Sequence, residues 1–279
     1  MPRFRKVYIN SSHRDAGGSS SRFSITLNQD VICGPKCALT VQDVCLPNVF
    51  YGINSSNNKL YIYQKHPTVL SNSVNSVIEI AEGNYTATAL GSAILAGLTA
   101  AALGSATYNV SYNAVTQTMT ISQSNGGGLT VYDASTLQKL GRIDSTGFYG
   151  TLPTIAAPQS LQQVLNIPTA ADPNTVWQSG MISTIRTQEV FLRSSNITNF
   201  GTLDSNGKTD TIKRIPLDRP FGEVVVTNDT IDTPSLMDCS HKVLRRLDFS
   251  LTDSYGTILN LHNQDFSFAI SFVFGELDS

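Results

Sequence analysis

The sequence predicts a mainly β protein, a β-sandwich or jelly roll interrupted by a small α+β unit. Three features carry that expectation. Apolar residues alternate with polar ones over many short stretches, the period-two signature of half-buried strands. Turn-forming clusters separate those stretches, and one internal segment changes to helical spacing.

Phe23, Ile25 and Leu27 alternate with Ser24, Thr26 and Asn28. Leu39 and Val41 follow, then Leu60 and Ile62 flanked by Tyr61 and Tyr63. Further strands are expected at Val190–Leu192, Ile212–Ile215 and Val224–Val226. Near the C-terminus Leu247, Phe249 and Leu251 alternate with Asp248, Ser250 and Thr252. Phe266, Phe268, Ile270, Phe272 and Phe274 then line one side of a last strand, a face that must pack on a second sheet because left wet it would aggregate. The expected turns are Asp15 to Ser19, Cys33 to Pro35, Asn54 to Asn58, Asp204 to Gly207 and Ser254 to Gly256.

The middle of the chain reads differently. Glu82 to Thr86 resembles a helix start, with Thr86 or Thr88 as N-cap. Leu90, Ile94, Leu95 and Leu98 recur at helical spacing within an alanine-rich run from Ala87 to Ala102, which Gly104 ends. A hairpin is expected from Tyr108–Tyr112 and Thr118–Ser122, with a turn near Asn113. After Gly126 to Gly128 come a short strand, Leu129–Tyr132, and a helical turn from Ser135 to Leu140. Residues 153–173, rich in Pro, Ala, Gln and Asn, read as an extended connector, with Trp177 anchoring it in a groove. The expected organisation is 1–78 as the first part of the sandwich, 79–150 as the insertion, and 151–279 as connector and second part.

Composition narrows the functional classes. Charged residues are only 14% of the 279, and Ser, Thr and Asn fill the polar positions; such groups cost less to bury against a neighbour than ions do. A net charge of −2 and a pI near 6.1 argue against a nucleic-acid binder as a whole. No apolar run approaches a membrane span, and no apolar h-region follows the basic start, so neither a spanning segment nor a signal peptide is expected. Four cysteines, Cys33, Cys37, Cys45 and Cys239, are too few for a disulfide scaffold of this size.

A search for catalytic groupings returns little. His13, His66, His241 and His262 form no metal-ligand spacing and read as surface or capping residues. Cys33, Cys37 and Cys45 resemble half of a zinc site, but the other cysteine, Cys239, lies far along the chain with His241 two residues on. The preferred reading is buried thiols packing as small hydrophobes. Gly126 to Gly128 lacks the helix and lysine that a phosphate loop needs, and Asp43, Glu79, Glu82, Asp218 and Glu223 are scattered. The expectation is therefore no enzyme, no cofactor and no metal. The concentrated positive charges are Arg3, Arg5 and Lys6, and Lys242, Arg245 and Arg246; they read as a solvated tail and strand end, or as contacts to an acidic neighbour or packaged nucleic acid.

Several segments together resemble a family. Val7-Tyr-Ile-Asn-Ser-Ser-His-Arg-Asp15 followed by Ser21 to Leu27 is similar to the N-terminal strand and loop of penton (minor capsid) proteins. These occur in virophages, polinton-like viruses and larger DNA viruses with double-jelly-roll major capsid proteins. Ile80 to Thr86 with its helix and hairpin, Val190 to Asn196, and above all Leu244 to Gly256 with Leu259 to Phe268 extend the resemblance in order over nearly the full length.

The resemblance implies a single jelly roll assembling as a homopentamer at the fivefold vertices of an icosahedral virion, with no enzymatic role. Partners would be trimers of the double-jelly-roll major capsid protein, and minor cement or spike proteins. The insertion would project outward, and the basic N-terminal arm would face inward, toward nucleic acid, or reach a neighbour. Tyr8, Asn10, Ser11, Ser12, Arg193, Ser194, Ser195 and Asn196 are the expected subunit-contact residues. The alternative reading is a receptor- or glycan-binding spike or fibre module, which would group aromatic residues in exposed loops; a β-sandwich hydrolase would need a cleft of convergent titratable groups.

Overall fold

The computed structural model describes residues 3–66, 68, 74–102, 106–124, 127–132, 161–168, 176–184, 188–197, 207, 209–227 and 236–275. The chain divides into two compact units: a discontinuous one, Met1–Phe50 with Thr187–Ser279, and a continuous one, Tyr51–Arg186.

Unit 1 is built from β1 (Arg3–Asn10), β2 (Arg22–Ile32), β3 (Cys37–Pro47), β10 (Glu189–Arg193), β11 (Thr211–Pro216), β12 (Val224–Thr227), β13 (Met237–Asp238), β14 (Val243–Thr252) and β15 (Ser267–Phe274). One sheet runs β1-β15-β3-β12, with β13 also on β3; the other runs β11-β10-β14-β2. Leaving out the two-residue β13 and ranking the other eight strands by chain order, the sheets read 1-8-3-6 and 5-4-7-2. Two Greek keys wound together give this order, which makes unit 1 a single jelly roll.

The inward faces pack as the alternation anticipates. Phe268, Ile270 and Phe272 of β15 are buried with Leu39, Val41, Val44 and Leu46 of β3, against Phe23, Leu247, Phe249 and Leu251 of the opposite sheet. Phe249 and Phe268 meet edge to face across the sandwich at 4.9 Å. Phe23 closes the ring from the same side as Phe249 at 5.5 Å, and Phe266 stacks on Phe268 at 5.6 Å. Such pairs add about 0.5–1.5 kcal/mol each beyond the area they bury. β1 and β15 pair antiparallel from Arg3↔Phe274 to Asn10↔Ser267, so the strands nearest the two chain ends are zipped together.

Unit 2 holds β4 (Lys59–Lys65), β5 (Val74–Glu79), α1 (Ala87–Ala100), β6 (Tyr108–Asn113), β7 (Thr118–Gln123), β8 (Gly128–Tyr132), α2 (Gln162–Leu165) and β9 (Val176–Met181). Its strands form two three-stranded sheets, β5-β4-β8 and β6-β7-β9. Thr86 caps α1, its hydroxyl accepting from Ala89 N at 3.2 Å, and Leu90, Ile94 and Leu98 form the buried stripe. A Cβ at Gly97 would run into Ile78, so this glycine lets α1 lie close on β5.

Several boundaries differ from the expected ones. The middle unit spans 51–186 and not 79–150, because β4 and β5 pair with β8, and β9 pairs with β7. Period-two alternation identifies a strand but not the sheet it joins. Residues expected in an extended connector include α2, with Leu161, Val164 and Leu165 buried. Trp177 is a strand residue paired with Ile121 and is no connector anchor. The basic N-terminus is strand β1 from Arg3 onward, not a solvated tail. The helix terminator Gly104, the turn from Ser135 to Leu140 and most of Asp204 to Gly207 lie outside the described residues.

Excising residues 51–186 and joining Phe50 to Thr187 by a short flexible linker should leave a soluble β protein by circular dichroism. Excising only 82–142 should give aggregated protein, because Leu60, Ile62 and Ile78 lose their cover; the reverse pair of outcomes would contradict these boundaries. Phe268→Ala, at a site 2% exposed, should lower stability in urea unfolding by about 3–5 kcal/mol.

Candidate functional site

The outward face of the β1-β15-β3-β12 sheet follows from its register. Phe4, Lys6 and Tyr8 stand opposite Val273, Ser271 and Ala269, and beyond these lie Ala38, Thr40 and Gln42. β12 continues the face with Val226 beside Cys45 and Val224 beside Pro47. Tyr8 is 76% exposed, Phe4 57%, Val226 54% and Val224 50%. Lys6 bonds to Asp43 and lies 5.4 Å over the Tyr8 ring, so the charge on this face is internally neutralised. Thr40, Gln42, Ala269 and Ser271 at its centre are buried, so the exposed apolar groups are those of β1 and β12 at its two edges, and apolar groups left in water mark a candidate interaction site.

The expected contact residues divide by burial. Tyr8, Ser12 and Ser195 are exposed, and Asn10 and Asn196 are half-buried. Ser11 is buried: its hydroxyl donates to Asp265 at 2.8 Å and accepts from Phe266 N at 3.0 Å. Arg193 is 2% exposed; its guanidinium donates to Thr252 Oγ1 at 2.8 Å and pairs with Asp210 at 2.7 Å. Ser194 is buried beside it, donating its N–H to the Asp210 carbonyl. Ser11, Arg193 and Ser194 are therefore turned into unit 1, where these bonds hold them. Nothing in a sequence separates an arginine that reaches a neighbour from one that folds back to an aspartate seventeen residues on.

A groove of about 660 Å³ on the outward side of the second sheet includes Asp15, Arg22, Ser195, Arg246 and Asp248 in its lining. Opposite charges alternate along it: Arg246 lies 3.8 Å from Asp15, and Ser195 donates from both its N–H and its hydroxyl to Asp248. On β1, Lys6 is ion-paired with Asp43, whereas Arg5 donates to the Asp30 carbonyl at 3.1 Å, a bond that leaves its charge in place.

The cysteines behave in a way the sequence left open. Cys33, Cys37 and Cys239 are all buried, with their sulfurs within 4.8 Å of one another, whereas Cys45 is exposed elsewhere. Burial, helped by Cys37, pushes the Cys33 thiol up to about 11, and burial pushes Cys239 up as well. None of His13, His66, His241 and His262 joins this or another such cluster among the described residues. The exposed aromatic side chains among the described residues, Phe4, Tyr8, Phe221 and Tyr255, belong to unit 1, and Trp177 is 9% exposed.

No protein-family model matches the chain, and no curated protein matches it in sequence. Solved structures match it in fold. The mavirus penton protein aligns with a TM-score of 0.50 at 11% identity, over 97% of this chain and 99% of that one. The fold is that of the mavirus penton protein. A chain of the Sputnik virophage, solved by electron cryo-microscopy, aligns with a TM-score of 0.42 at 10% identity over 100% of this chain and 99% of its own.

Thiolate supply governs alkylation, so brief treatment of the native protein with iodoacetamide near pH 8 should modify Cys45 alone. Peptide mass spectrometry reads this; equal labelling of Cys33, Cys37 and Cys239 would contradict the burial described.

Proposed function

We propose that the chain is a structural capsid subunit with no enzymatic role, assembling as a homopentamer at the fivefold vertices of an icosahedral virion. The observation that carries this reading is the jelly roll with a unit set between its third and fourth strands, aligned over nearly the whole of both chains with a penton protein. A fold does not by itself assign a function, so the surface must be compatible. It is: charge is scarce, and one sheet presents Phe4, Tyr8, Val224 and Val226 to solvent.

Five copies around a closed ring use heterologous contacts, one flank of each subunit against the opposite flank of the next. We assign Tyr8, Asn10, Ser12, Ser195 and Asn196 to these flanks, with Tyr8 as the principal anchor because aromatic side chains supply large contact area at low entropic cost. In the virion the pentamer would adjoin trimers of a double-jelly-roll major capsid protein, and unit 2 would face outward, where cement or spike proteins could dock.

Sedimentation velocity or native mass spectrometry should show a species of five times the 30.1 kDa chain mass. Tyr8→Glu should shift it to monomer while changing the stability of the monomer fold by no more than about 0.5 kcal/mol, as expected of an exposed position. A stable monomer or trimer for the unaltered chain across salt and concentration would overturn the proposal.

A further inference from the structure

Three separate parts of the chain converge at one corner of the jelly roll. Cys33 follows β2, Cys37 opens β3, and Cys239 follows β13, 202 residues beyond Cys37. The Cys239 and Cys37 sulfurs are 3.3 Å apart, and all three cysteines are unbridged. Backbone bonds fix both connections against each other. Cys33 N donates to the Lys242 carbonyl at 2.8 Å, Cys239 N to the Cys37 carbonyl at 3.0 Å, and His241 N to the Gly34 carbonyl at 3.1 Å. Ser240 adds a clamp, its hydroxyl accepting from Cys37 N at 3.1 Å.

Packing alone does not call for this arrangement. A buried thiol fills space as a small hydrophobe and has no need of other thiols. Here three of the chain's four cysteines share one site, on the Cys-Gly-Pro-Lys-Cys turn between β2 and β3 and the segment bonded to it. Tetrahedral zinc holds thiolates at about 2.3 Å, which places neighbouring sulfurs roughly 3.8 Å apart. The observed spread, from 3.3 Å to within 4.8 Å, brackets that spacing.

We propose that Cys33, Cys37 and Cys239 form a structural site for one Zn²⁺ ion, with the remaining position open to a non-protein ligand. The step is ligand exchange without redox change: each of the three S–H groups gives its proton to buffer as a sulfur–zinc bond forms and a zinc-bound water leaves. Three thiolates and one Zn²⁺ carry a net −1, which the neighbouring Lys242 offsets. The ion would tie the turn between β2 and β3 to the turn between β13 and β14, the corner where the chain twice passes from one sheet to the other. This inference is independent of the capsid reading.

The test uses the full chain, expressed in a reducing host and purified in a phosphine reductant without chelator. Elemental mass spectrometry should find roughly one zinc per chain, as expected of a single structural site. Chelation followed by Co²⁺ should produce the thiolate-to-cobalt charge-transfer absorption, and zinc should bleach it. Cys37→Ser should lose that absorption and Cys45→Ser should keep it. Should Cys37→Ser fail to fold, the unaltered chain decides alone. The proposal is overturned if the folded, reduced protein neither retains zinc nor gives the cobalt band, or if rapid alkylation of the lysate reveals a Cys37–Cys239 disulfide.

Discussion

Phe249 of β14 and Phe268 of β15 meet edge to face between the two sheets of the jelly roll, and the remaining organisation of unit 1 depends on that contact. With Phe23 and Phe266 they form a connected aromatic cluster that fixes how far apart the sheets lie and in which register β15 faces its partners. A one-residue slip of β15 would turn Phe268, Ile270 and Phe272 to the outside and Ser271 to the core. The buried Ser271–Gln42 hydrogen bond on the other side of the strand holds the same register with polar chemistry.

That central strand also makes the fold strongly non-local. β15 sits between β1, from the start of the chain, and β3, and an entire second unit intervenes in sequence between the two halves of the sandwich. Pairings of such sequence separation form slowly, because loop-closure entropy is lost before contacts compensate it. Unit 2 is continuous in sequence and has its own core, so its contacts close shorter loops than those of the sandwich. A metal tie at the β2–β3 and β13–β14 turns would act on the same problem, holding residues from before and after the insertion at one corner.

Much of this was legible in the sequence, for reasons that differ element by element. The Phe266 to Phe274 stripe, the Thr86 cap and the hairpin around Asn113 are local patterns, and local physics places them. Sheet membership is not local. The alternation of β4 around Leu60 and Ile62 matches that of β2 around Phe23 and Ile25, although the two strands belong to different units. Trp177 looked like an anchor in a connector because its flanks are rich in polar residues and proline, whereas its pairing with Ile121 is visible only in three dimensions. The same limit hid the folding-back of Arg193 onto Asp210 and the meeting of Cys33 and Cys37 with Cys239.

The jelly roll thus buries Phe268 and Phe272 on one side of β15, and the sheet face on the other side carries Phe4, Tyr8 and the Lys6–Asp43 pair. Phe4, Tyr8, Val224 and Val226 on that face are the groups through which the proposed assembly would act. The most direct test is an electron cryo-microscopy reconstruction of particles that incorporate this chain. The account predicts five jelly rolls closed in a ring at each fivefold vertex, with Tyr8 inside a subunit contact. Vertices built from another protein, or this chain found only as an isolated or trimeric appendage, would contradict it.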